Sequence, residues 1–251
     1  MSSFLINSSI GKKLVMSLSG LFLILFILFH MSMNIVAIFS GEAYNFICAF
    51  LGANWYALAA TAVLAAGVVV HFAYAIILTL NNYAARGNIR YEVTVKEEGV
   101  SWASKNMLVL GYVIVGGLLL HLVNFWAKMQ LVEVMHFGSS VDHHDIVNSL
   151  GLHPTDGAAL IKYTFSKWYF SLAYLVWFTA LWFHLTHGVW SMFQSVGFAN
   201  DTWYPRLKCI ANIVATLIFL GFAVVVVYFF FATNFGSAAV DVCTSSCCAG
   251  H

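Results

Sequence analysis

Of the 251 residues, 61% are hydrophobic and only 8% charged, which leaves too little polar surface to cover a soluble globule of this size. A net charge near +1 gives no reason to expect a nucleic-acid partner. The bilayer has to supply the missing solvent, and the chain reads as an all-α integral membrane protein.

A membrane core about 30 Å thick needs roughly 20 apolar residues per helical span. Five segments meet that length, at about 14–38, 56–80, 107–130, 168–194 and 209–232. Stretches such as LVMSLSGLFLILFILFH are continuously apolar, whereas barrel strands alternate apolar and polar residues. The expectation is a bundle of five transmembrane helices over residues 1–235, followed by a flexible extracytoplasmic tail at 236–251.

Residues 1–11 read as a short interfacial segment. Lys12 and Lys13 precede an apolar run too long for an ordinary signal core and without a clean cleavage site, so the run reads as a span. Residues 39–55 form a short connection with Tyr44 and Trp55 as aromatic anchors. The charged connection at about 81–106 includes RYEVTV, an extended stretch by its composition. The longest polar segment, 131–167, carries several histidines and carboxylates, and Pro205 limits how early the last helix starts.

Lys12, Lys13, Arg86, Arg90, Lys96, Lys105, Arg206 and Lys208 fall on one side of the five spans, and Lys128, Lys162 and Lys167 on the other. By the positive-inside rule the N-terminus is cytoplasmic and the C-terminus extracytoplasmic. Cys48, Cys209, Cys243, Cys247 and Cys248 form neither a paired CxxC knuckle nor a CxxCH haem attachment.

Five histidines lie within the apolar spans: His30, His71, His121, His184 and His187. Titratable side chains at membrane depth are costly, and they mark pathways, ligands or cofactors. A single one is readily explained as a bond between helices, but all five together are not. At 1.5 Å per residue, His30 and His121 both lie roughly 12–14 Å below the outer face. His71 and His187 match at a similar depth below the inner face. Two level pairs at two depths are what two stacked b-type haems require, each iron held by two imidazoles from facing helices. His184, one turn from His187, is the alternative ligand, or a partner for a haem propionate or a quinone. Gly20, Gly67, Gly116, Gly117 and Gly188 lie near these histidines and allow close approach of a macrocycle or a neighbouring backbone.

With SLSGLFLILFILFHMSMN around His30, the helix around His71, GGLLLHLVNFW around His121 and HLTHGVWSMFQ around His187, residues 10–235 resemble the membrane anchor of the succinate dehydrogenase and fumarate reductase family. The likeness is to its single-chain, five-helix, dihaem cytochrome b type. That resemblance implies an outer haem on His30 and His121 and an inner haem on His71 and His187, the partners the depths already give. It also implies a flavoprotein subunit and an iron-sulfur subunit docked on the cytoplasmic face of a bacterial inner membrane, with menaquinone or a related quinone as substrate. Dicarboxylate chemistry belongs to those partners, not to this chain. Where some relatives carry a glutamate two residues before the fourth-helix ligand, this chain has Leu185.

The quinone site is expected near the His30–His121 haem, with Glu42 and His143 exchanging protons and Tyr44, Glu133, His136, Asp142, His144 and His153 nearby. An inner site using His184 is the competing arrangement. Arg86, Arg90, Lys96 and Arg206 are the expected contacts of the iron-sulfur partner. Rival readings are the dihaem anchor of a hydrogenase or formate dehydrogenase, and a transporter that uses buried histidines as relays.

Overall fold

The computed structural model describes residues 8–52, 54–86, 101–136, 145–198 and 200–236, without the Arg86 side chain. The RYEVTV stretch, Arg90, Lys96, Asp142, His143, His144 and the three tail cysteines lie outside the described residues, as do residues 1–7.

In chain order the helices are α1 (Ser9–Phe39), α2 (Gly41–Phe50), α3 (Trp55–Arg86), α4 (Trp102–Lys105), α5 (Met107–Asn124), a 3-10 turn (Trp126–Lys128), α6 (Gln130–Met135), α7 (Gly157–Phe165), α8 (Trp168–Ser195) and α9 (Trp203–Asn234). Every regular element among the described residues is helical. Five helices are long and apolar enough to cross a membrane: α1, α3, α5 continued to Lys128, α8 and α9. Each coincides with an expected span. Large apolar side chains such as Leu25, Val63, Val109, Leu119 and Leu217 stand exposed along them. Exposure of large apolar side chains along these helices suits contact with lipid.

Two compact units share the chain. The first takes the chain up to Phe29, Ala59–Gly116 and Thr179–Phe219; the second takes His30–Leu58, Gly117–Phe178 and the chain from Leu220. The first unit buries Leu181, Leu185 and Val189 of α8 and Ala211, Ala215 and Ile218 of α9. These positions recur every three or four residues, the stripe of a helix packed on one face. Trp182 Nε1 donates to Thr216 Oγ1 at 3.1 Å, joining α8 to α9 in this unit. Ala103, Leu110 and Ala180 pack together, with Ile114 and Phe183 against them.

The connections of the second unit hold more structure than their composition suggests. After α1 ends at Phe39, Ser40 turns extended and its hydroxyl accepts from Ala43 N at 3.1 Å, which caps α2 and contributes about 1 kcal/mol. Glu42 sits in the first turn of α2, where a negative charge suits the helix dipole. Asp156 caps α7 by accepting from Ala159 N at 3.1 Å. Asn45 then ties the two helices together: its Nδ2 donates to Asp156 Oδ1 at 2.8 Å and its Oδ1 accepts from Ala158 N at 2.9 Å. Between α6 and α7, the buried Asn148 accepts from the Leu150 and Leu152 amides and donates to Lys128 O. Gly151, at φ 73°, supplies the left-handed residue of that turn.

Two expectations change. Tyr44, read as an interfacial anchor, is buried, because α2 lays it against α7; Trp55 is exposed as an anchor requires. Pro205 does not delay α9, which begins at Trp203 under an Asn200 cap accepting from Trp203 N at 2.9 Å. Counted from that cap proline is the fifth residue, so its missing N–H forgoes a single hydrogen bond while Tyr204 N still donates to Asn200 O at 2.8 Å.

Candidate cofactor site

In the second unit, His30 of α1 faces His121 of α5 with ring centroids 5.7 Å apart and planes at 85°. Aromatic rings enclose them. Phe222 lies 6.0 Å from His30, while Phe125, Trp177 and Tyr174 lie 5.3, 5.9 and 6.3 Å from His121. Tyr174 is 2% exposed, and Asn124 Nδ2 donates to its hydroxyl at 3.5 Å. Behind His30, Asn34 Nδ2 donates to the His30 carbonyl at 2.8 Å, and the Tyr44 hydroxyl donates to Asn34 Oδ1 at 3.1 Å. Burial drives the Tyr44 phenol well above its ordinary range. Burial also pushes the Cys48 thiol beside it up to about 11, against the opposing hydrogen bonds of Tyr44 and Gly157.

In the first unit, His71 of α3 faces His184 of α8 at 6.3 Å between centroids and 68° between planes. The surroundings are partly polar. Ser19 Oγ donates to Met16 O at 3.1 Å, which leaves an oxygen lone pair toward His71 Nδ1, also at 3.1 Å. When the serine proton goes to Met16 O, the imidazole carries its own proton on Nδ1 and keeps Nε2 free as a ligand. Gly20 lies close by, and a Cβ there would sit 3.3 Å from His71 Cε1, a tight contact. Nδ1 of His184 and of His187 are buried without a hydrogen-bond partner. His187 stands one turn along α8, 4.9 Å edge-on to Trp190, whose ring contacts Tyr204. Lys208 Nζ lies 4.2 Å from the Tyr204 ring and 5.3 Å from that of Trp190.

These residues suit axial ligation. Two imidazoles on opposite sides of one metal place their centroids about 6 Å apart, from two bonds of about 2 Å and two ring radii. Among the described residues no group of three or more His, Cys, Asp and Glu side chains could hold a metal ion. A group that brings its own equatorial nitrogens and takes two imidazoles per metal, as haem does, matches pairs of this kind. Comparison with known proteins finds no matching family model, curated protein or solved structure.

The remaining expected residues scatter. Glu42 is exposed and borders an open depression lined by Ser40, Ala43, Phe46 and Ile47. Glu133 lies against Gly52, His136 Nδ1 is 2.8 Å from Val132 O, and His153 Nδ1 is 2.7 Å from Thr155 Oγ1. Leu185 is buried. Of the macrocycle-approach glycines, Gly67 meets Phe22 and Gly117 meets Trp177, while added Cβ atoms at Gly116 and Gly188 would touch nothing. Reading along the sequence passed over Ser19, Tyr174 and Trp177. A serine inside an apolar run was a usable signal for the first; the aromatic pair blends into an aromatic helix.

Proposed function

We propose that this chain is the membrane anchor and electron-transfer subunit of a succinate:quinone oxidoreductase, a dihaem cytochrome b. The observation that carries the reading is the pairing of imidazoles from different spanning helices, His30 with His121 at 5.7 Å and His71 with His184 at 6.3 Å. His30 and His121 would hold one haem b. His71 would hold the other with a histidine of α8, either His187, whose depth matches, or His184, whose ring faces it. Haem supplies one-electron transfer between the iron-sulfur partner and menaquinone or a related quinone.

The rest of the reading follows from charge and chemistry. Docking of a flavoprotein and an iron-sulfur subunit at the cytoplasmic face of a bacterial inner membrane is supported by the basic residues Arg86, Arg90, Lys96 and Arg206, and an inside N-terminus with an outside C-terminus by the positive-inside rule. Quinone reacts at the other end, near His30 and His121, where Glu42 and His143 exchange its protons. Of these two, Glu42 is exposed beside a shallow open depression of α2.

The test is a reduced-minus-oxidised spectrum of the purified full-length chain, with pyridine haemochrome quantification. Sharp b-type bands at two haems per chain are expected. A colourless chain would overturn the reading in favour of a histidine-relay transporter, and co-purification with hydrogenase subunits would reassign the partner.

A further inference from the structure

We infer that Trp177, seated on Gly117, is a positioning residue that fixes the plane of the His121 imidazole and so sets the properties of the centre held by His30 and His121. The inference rests on the dihaem reading above and concerns two residues that reading does not use. Gly117 and His121 are one turn apart on α5, and helical side chains lean toward the N-terminal turn. The His121 ring therefore leans over the level of Gly117. At that level lies the Trp177 indole: a Cβ on Gly117 would fall 2.1 Å from its Cδ1 and 2.2 Å from its Cγ. Real Cβ atoms do not come that close, so the indole occupies the space where any other residue would carry a side chain.

Trp177 then covers His121 at 5.9 Å with planes 33° apart. Its own position is fixed from behind. Phe178 lies 5.4 Å away, and the fully buried Tyr174 meets it edge-on at 5.7 Å. Tyr174 is in turn packed against Phe125 and Phe165. Close packing of this kind leaves side chains in single rotamers. With Trp177 in place, the His121 ring stands nearly perpendicular to that of His30, at 85°. The angle between two axial imidazole planes governs the ligand field of a low-spin ferric haem, and therefore its largest g value, while the packed aromatic shell contributes to its potential.

The experiment uses full-length chain in its native membrane complex, with haem content, low-temperature electron paramagnetic resonance and redox titration of each centre. Trp177→Leu is expected to retain two haems but shift the largest g value and the midpoint potential of one centre, the one missing in His121→Ala. Trp177→Phe should restore part of the shift. Gly111→Ala serves as the control, because a Cβ at Gly111 on the same helix meets nothing within 4 Å. Gly117→Ala should lose that one haem, because its Cβ displaces the indole, and combining it with Trp177→Ala, which removes the clash, should restore haem content. Unchanged signals in Trp177→Leu, equal shifts at both centres, the same shift in Gly111→Ala, or no restoration in the double variant would each overturn the inference. Absence of haem from the unsubstituted chain would instead overturn the reading on which it rests.

Discussion

The two histidine pairs sit in unlike surroundings. His30 and His121 are walled by Phe125, Tyr174, Trp177 and Phe222. His71 has a serine oxygen on its Nδ1, and His184 and His187 leave ring nitrogens orphaned. An aromatic wall holds a ring by packing, and a hydroxyl on a ring nitrogen adds one directed bond. If each pair holds a haem as proposed, the two centres should differ in potential and in the substitutions that perturb them. The first should respond to changes in its aromatic wall, and the second to loss of the Ser19 hydroxyl.

The largest expected effect breaks the comparison into its halves. His30→Ala and His121→Ala should each leave about one haem per chain, and the surviving centre should be the same in both by midpoint potential, since each variant deletes one of two axial bonds. His71→Ala should leave the complementary centre. Loss of the same centre from His30→Ala and His71→Ala would dissolve the division into two pairs.

Next comes the fourth ligand. Ring proximity favours His184 opposite His71, and depth favours His187. Substituting each by alanine should remove the His71 centre in only one case, with the other variant keeping two haems at an altered potential. Haem counts of two in both variants would place the ligand elsewhere.

The limits of reading along the chain are visible in the same residues. Histidines in apolar runs announce themselves because hydrocarbon excludes them unless they have a task, and the five spans follow from length and apolar continuity alone. Which turn of α8 faces His71 does not follow, because His184 and His187 share a face and differ by one turn. The short helices α2 and α7 went unread for a related reason: they depend on the Ser40 and Asp156 caps and on Asn45, whose partner lies 111 residues away. Tyr44 looked interfacial because its burial arises only when those helices meet. Trp177 on Gly117 joins α8 to α5, and neither residue alone signals it.

The thiols offer a further contrast between the units. Cys48 of the second unit is mostly buried and holds its proton to about 11, whereas Cys209 of the first is exposed. In a variant carrying Cys48 alone, with Cys209, Cys243, Cys247 and Cys248 changed to serine, the thiolate fraction at pH 8 should be about one in a thousand. Its alkylation rate should climb about tenfold per pH unit until about pH 11. A plateau from pH 9, the ordinary thiol value, would show an open site. Stability has a matching sign: above pH 9 the unfolded chain loses this proton while the folded chain keeps it, so the contribution of Cys48 falls between pH 9 and about 11 and is flat below.

The smallest effect tests the directed bond. Ser19 Oγ lies 3.1 Å from His71 Nδ1 and 3.1 Å from Met16 O. Partners of this kind orient a ligating imidazole and raise its basicity, and their loss typically weakens metal affinity 10- to 100-fold. A serine hydroxyl is neutral and a weaker acceptor than a carboxylate, so Ser19→Ala should weaken haem retention about tenfold, at the low end of that range. The loss should fall on the His71 centre alone. Ser19→Thr keeps the hydroxyl and should retain haem like the unsubstituted chain. Competition with a haem-scavenging apoprotein, followed by redox titration of what remains, reads both centres in one sample. Equal loss from the two centres would mean that Ser19 supports helix packing in general. Equal loss in Ser19→Thr and Ser19→Ala would mean that the hydroxyl does not act on His71, and the contrast in surroundings would fail at this residue.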